Sequence, residues 1–168
     1  MKTKWEAIHS PPLTPGERVR TAMADYMRES IRFAHLWSYR QERPMRNLGL
    51  TPNRPQRSDC SSGATAIYFW ARQVTGIMVP DPNGRGFDGF GNTATLWSAN
   101  SSRRASGNYE IGDMALYWAR GGHVTVCMAP GDAASSVWWS NGSQRAPNDA
   151  TLYYRSDLRG VVRPRISP

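Results

Sequence analysis

The chain has 168 residues, 39% hydrophobic and 20% charged, which suits one globular domain with its own core. No run approaches the roughly 18 apolar residues that a membrane span needs, and no apolar stretch follows the charged start Met1-Lys2-Thr3-Lys4, so neither a secretory signal nor membrane insertion is expected. The formal net charge is +8, and of the 21 basic residues only Lys2 and Lys4 are lysines. The arginines run from Arg18 to Arg165 with only Arg103 and Arg104 adjacent. That spread predicts a generally basic surface suited to anionic partners, and it argues against a dedicated nucleic-acid patch.

Residues 1–13 are polar and end in Ser10-Pro11-Pro12-Leu13, an extended arm ahead of a single domain over 14–168. Thr14-Pro15-Gly16-Glu17 is a helix start, with Thr14 as N-cap, Pro15 in the first turn and Glu17 reaching back. Apolar residues at Val19, Met23, Tyr26, Met27, Phe33, Ala34 and Trp37 continue at helical spacing, which predicts a helix to about Trp37. Residues 40–58 are rich in Arg, Pro and Asn and read as a loop. A second, more buried helix follows from Ser61. Asp81-Pro82-Asn83-Gly84 is a turn, a glycine-rich loop runs to Asn92, and a short helix is expected around Thr93–Ser98. Strand and turn signals then take over, with strands over 113–118, 123–128, 136–140 and 160–163. Helices followed by an antiparallel sheet make the fold class α+β.

Two cysteines, Cys60 and Cys127, do not make a disulfide scaffold, and neither sits at zinc-ligand spacing. Cys60 opens the buried helix directly after Asp59. Unpaired backbone amides and the positive end of the helix dipole favour a thiolate there. A buried, inert cysteine is the plainer alternative, and it is the expectation for Cys127, inside a strand. His123 follows Gly121-Gly122 and begins the strand His-Val-Thr-Val-Cys. Its side chain shares a strand face with Thr125 and Cys127. If that face packs against the helix start, His123 can reach Cys60. His9 falls in the arm and His35 at the end of the first helix. Gly84-Arg85-Gly86-Phe87-Asp88-Gly89 matches a dinucleotide fingerprint without its βαβ context. Asp81-Pro82-Asn83 begins like a calcium loop but places Arg85 and Asn92 where oxygen ligands are needed. No cofactor or metal is expected.

Arg57-Ser58-Asp59-Cys60-Ser61-Ser62, then Gly112-Asp113-Met114-Ala115-Leu116-Tyr117-Trp118, then Gly122-His123-Val124-Thr125-Val126, resemble the nucleophile, Gly-Asp and Gly-His-Val segments of the NlpC-type cysteine peptidases. Tyr39, Arg43-Pro44, Asp81-Pro82-Asn83-Gly84 and Asn141-Gly142-Ser143 add a likeness to the peptidase modules of lysins from bacteriophages of actinobacteria. The likeness extends from about Ser38 to the C-terminus. It implies a papain-like fold and hydrolysis of an amide in the peptide stem of bacterial peptidoglycan through a thioester. Cys60 would be the nucleophile and His123 the base. Amides at the helix start, at Cys60 and Ser61, would hold the oxyanion with Tyr39 nearby, and Asp59 would cap the helix, bind the free amine of the stem, or both. The family's late segment reads His-Gly-Ser, whereas this chain has Asn141-Gly142-Ser143. Asn141 either orients the imidazole or begins a plain hairpin turn, and Ser140 and Ser143 are poor substitutes. The resemblance also implies synthesis in a host cytoplasm and action on the wall after release, or a place in a larger phage assembly or beside a separate wall-binding domain. An N-acetylmuramoyl-L-alanine amidase and a catalytically inactive virion or wall-binding module are the rival readings.

Overall fold

A computed structural model describes residues 11–119 and 121–166. The expected arm falls outside the described residues up to position 10, and residues 11–13 carry no regular structure. Helix α1 spans Pro15–Arg32. Its start is the capping box read from the sequence: the Glu17 amide donates to Thr14 Oγ1 at 3.3 Å, and the Thr14 amide to Glu17 Oε2 at 2.7 Å. The buried stripe is Val19, Met23, Ala24, Tyr26, Met27 and Ser30. The helix stops at Arg32, five residues before the expected end, and a 3₁₀ turn over Ala34–Leu36 leads into strand β1, Trp37–Tyr39. Trp37 is still buried, because its indole donates to Pro52 O at 3.0 Å and packs edge-on against Tyr26 and Trp139. It meets the core from a strand, so its place in the helical period is coincidental.

The segment read as a loop holds strand β2, Gln56–Ser58, which pairs in parallel with β1. This short sheet sets Tyr39 opposite Ser58, two residues before Cys60. Helix α2 then runs Cys60–Thr75 and closes on Gly76 in the left-handed conformation. Gly63 lets it approach the sheet closely, since a Cβ there would clash with the Trp139 ring. Trp139 is fully buried, and its indole donates to Ser30 Oγ at 2.7 Å, which ties the sheet to α1. The loop to helix α3, Thr93–Asn100, is folded around Asp81 and Asn83. The Asp81 carboxylate accepts from the amides of Asn83, Arg85 and Phe87, and Asn83 bridges Thr65 and Thr95.

The remaining strands are β3 (Arg104–Ala105), β4 (Met114–Tyr117), β5 (His123–Ala129), β6 (Val137–Gly142), β7 (Arg145–Ala150) and β8 (Leu158–Val162). They form one antiparallel sheet in the order β3-β8-β4-β5-β6-β7, so the molecule is α+β with its helices first. Met114, Leu116, Val124, Val126 and Trp139 pack towards the helices. Ala115, Tyr117, Cys127 and Trp138 form a second core with Tyr109 and Leu152 on the other face. Gly112-Asp113 anchors β4. Tyr68 of α2 donates to Gly112 O at 2.6 Å, and the fully buried Asp113 carboxylate takes two hydrogen bonds from Arg163 of the chain beyond β8, both at 2.8 Å.

Candidate active site

Helix α2 begins where its sequence says it must. Asp59 is the N-cap: its Oδ1 accepts from the Ser62 amide at 2.7 Å, while Ser62 Oγ receives the Asp59 amide at 2.9 Å. Cys60 is therefore the first residue of the helix, and its amide is one of those the helix cannot pair internally. The thiol is buried at 3% exposure. Sγ lies 4.0 Å from the carbonyl oxygen of Gly122, the residue before His123. Gly122 has no room for a side chain because Thr93, the first residue of α3, occupies that space. The room that Gly122 provides is taken by Thr93.

The expectation that the His123–Thr125–Cys127 face packs on the helix start is reversed. Val124 and Val126 face the helices, and His123 stands on the far face beside its cross-strand partner Tyr117. Cys60 is still brought to the start of β5, because its thiol rests against the carbonyl of Gly122, the residue before His123. The imidazole packs in one cluster with Tyr117 and Tyr154, with ring centroids 5.9 and 6.0 Å away, and its Nε2 is 3.2 Å from Ser140 Oγ. No hydrogen bond joins the ring to the thiol.

Asn141 does not reach the imidazole. It follows Trp139 on the helix-facing side of β6, and its side-chain amide donates to the carbonyls of Ser58 and Asp59 at 3.2 and 3.3 Å. It braces the chain just ahead of Cys60. Nor is it the hairpin turn, which lies two residues later at Ser143 and Gln144. Ser140, on the other face, is the residue that holds His123.

The other expected residues cluster at the helix start, but their side chains are largely committed. Ser61 Oγ donates to Asp59 Oδ1 at 3.0 Å and accepts from Arg43 Nη2 at 2.8 Å. Arg43 Nη2 also lies 3.0 Å from Asp59 Oδ2, and its Nε donates to Gly91 O at 2.7 Å. Both Asp59 oxygens are thus engaged, and an amine seeking that carboxylate would have to compete with Arg43. Tyr39 is half-buried near the thiol, its hydroxyl accepting from Gln41 at 3.4 Å.

The electrostatics of the pair run against a ready-made thiolate. Burial pushes the Cys60 thiol up to about 11, and the neighbouring Asp59 carboxylate adds to this. The Val124 and Ser61 amides and the Thr93 hydroxyl pull the other way without prevailing. Burial lowers His123 to about 4, with the Arg155 guanidinium assisting and Asp157 opposing. At neutral pH the free protein therefore holds a protonated thiol beside a neutral imidazole. Burial outweighs the helix-start effect that the sequence emphasises.

Two lobes open at these residues. One, of about 550 Å³, is lined by Cys60, Asp59, Asn92, Thr93 and Trp118. The other, of about 630 Å³, is lined by His123, Tyr39, Ser140, Asn148 and Tyr154. They share Gln41 and Gly122, so the pocket that Cys60 lines and the pocket that His123 lines adjoin. Among the described residues no three His, Cys, Asp or Glu side chains converge as metal ligands. Thr93 and Trp118 are read in the sequence only as a helix start and a strand end, and Tyr154 carries no signal there, since each is brought to the site by the fold. Cys127 is buried in β5, with its thiol against Ala129 O at 3.3 Å. Comparison with protein-family models returns no match for this chain, and neither does comparison with curated proteins.

Proposed function

We propose that this protein is a cysteine-dependent amide hydrolase with a papain-like NlpC-type fold that cleaves the peptide stem of bacterial peptidoglycan. The observation that carries the chemistry is that Cys60, at the start of a buried helix, lies against the carbonyl before His123, whose Nε2 is held by Ser140, with the two residues lining adjoining pockets. With Nε2 occupied, Nδ1 is the nitrogen that takes the thiol proton as sulfur attacks the carbonyl carbon. A C–S bond forms, the carbonyl oxygen becomes an oxyanion, and the Cys60 amide, with Tyr39 nearby, receives its charge. Collapse breaks the C–N bond, and the imidazolium returns its proton to the departing nitrogen. Water then hydrolyses the Cys60 thioester, again through His123, to give a carboxylic acid and the free thiol. Proton transfer during attack, with no resting ion pair, fits a thiol near 11 beside an imidazole near 4.

The substrate class rests on the ordered Asp-Cys-Ser, Gly-Asp and Gly-His-Val segments and on the +8 charge, which suits an anionic wall. The test is turbidity of purified cell walls with the wild type and Cys60→Ala. Clearing by the wild type alone is expected. Equal clearing by both, or none by either, would remove the catalytic claim.

A further inference from the structure

We propose that the His123-side lobe binds the half of the substrate that departs as an amine, and that Arg145 recognises a carboxylate on that half. The proposal rests on the roles of Cys60 and His123 given above. Attack by sulfur leaves the acyl half on Cys60, and the departing nitrogen takes its proton from His123, so the departing half lies on the imidazole side of the cleft. That side is the lobe of about 630 Å³, within the range of about 300–1,000 Å³ usual for small-ligand sites.

The charge of this lobe follows from strand register. Ser140 pairs with Asn148, but the register slips by one residue along the hairpin and Gly142 pairs with Arg145. Directly paired residues share a sheet face. The slip therefore sets Arg145 on the face of Ser140, Gly142 and His123, where a Cβ on Gly142 would come 3.9 Å from His123 Cε1. Asp149, which pairs with Trp139, also lines the lobe, but among the described residues it makes no ion pair with Arg145. The other arginine of the lobe is already spent: Arg155 donates to Asp157 through Nε at 2.8 Å and Nη2 at 2.6 Å. Arg145 is exposed and, among the described residues, its side chain has no hydrogen bond or ion pair. An unpaired guanidinium at the edge of this lobe matches the planar, two-oxygen geometry of a carboxylate.

The test separates binding from turnover. Cys60→Ala protein is titrated by NMR with dialanine, in L,L and D,D forms, as the free acid and as the C-terminal carboxamide. The free acid of at least one form is expected to bind about tenfold more tightly than its carboxamide. Arg145→Gln should abolish that difference, and Arg145→Lys should restore part of it. Equal binding of acid and amide, binding of neither, or a preference that survives Arg145→Gln would overturn the proposal. Absence of turnover by the Cys60 protein would instead count against the catalytic reading, and is measured separately on cell walls.

Discussion

Ser140 and Asn141 are neighbours in β6 with opposite tasks, and substitution separates them. Removing the Ser140 hydroxyl frees His123 Nε2 and loosens the ring, while the helix start stays braced. Ser140→Ala should lower kcat about 10- to 100-fold with little change in KM, as expected for a residue that acts through the base. Asn141→Ala instead strips a buried donor from the Ser58 and Asp59 carbonyls and should cost about 1–3 kcal/mol of stability, read by thermal unfolding. The opposite pattern would restore Asn141 as the orienting residue. Cys60, His123 and Asp59 are legible in the sequence because each occupies a position with its own local signature: a helix start, a strand entry, an N-cap. The residue holding the imidazole is not legible in the same way. A one-residue offset in a strand changes the face, and the Asn-Gly dipeptide draws attention to the wrong one. The pH dependence follows from the same residues. His123 is held at about 4, below the usual 6.5 or so of a free imidazole. The folded state thus binds fewer protons than the unfolded one in between, and the stability this group contributes is lost as pH falls from about 6.5 towards 4. Cys60 acts at the other end: its contribution is complete below about 8.5 and lost as pH rises towards 11. The profile of kcat/KM should be a broad plateau between limbs near 4 and 11. A limb between pH 6 and 8 would point to a pre-formed thiolate–imidazolium pair, contrary to the burial of both groups.

At the scale of elements, helix α2 is positioned by what it lacks. Gly63 faces Trp139 so closely that a methyl group must displace a fully buried indole. Gly63→Ala should therefore destabilise by about 1–3 kcal/mol, although Ala is the better helix former, and should lower activity by shifting the Cys60 end of the helix. The Gly112-Asp113 segment is likewise structural. Arg163→Ala would leave Asp113 buried without its partner and should cost about 3–5 kcal/mol in a denaturant titration, with the mechanism at the cleft unchanged. Capping chemistry made the starts of α1 and α2 legible. The end of α1 was not, because Trp37 keeps the helical period while meeting the core from a strand. Strands β2 and β7 were hidden for a related reason: Gln56-Arg57-Ser58 and Arg145–Ala150 are polar, and their pairing depends on partners distant in sequence or on a hairpin.

For the whole molecule, a basic surface and a two-lobed cleft have to work together. The +8 charge predicts that association with an anionic wall weakens as ionic strength rises, and that Cys60→Ala protein follows the same salt dependence in a sedimentation assay. The order of helices then sheet was legible because the hydrophobic period changes along the chain, and it places the Cys60 helix against the sheet that carries His123. The cleft itself was not legible: Gly122, Gln41, Thr93 and Tyr154 come together only after β5, α3 and the β7–β8 connection have packed. The most direct measurement is digestion of purified peptidoglycan by the wild type and by Cys60→Ala protein of matched circular dichroism, with the new termini identified by mass spectrometry. The wild type should release paired amino and carboxyl ends within the peptide stem, and Cys60→Ala should release none. New ends at the sugar–peptide junction would contradict the endopeptidase assignment, and equal release by the two proteins would contradict Cys60 as the nucleophile.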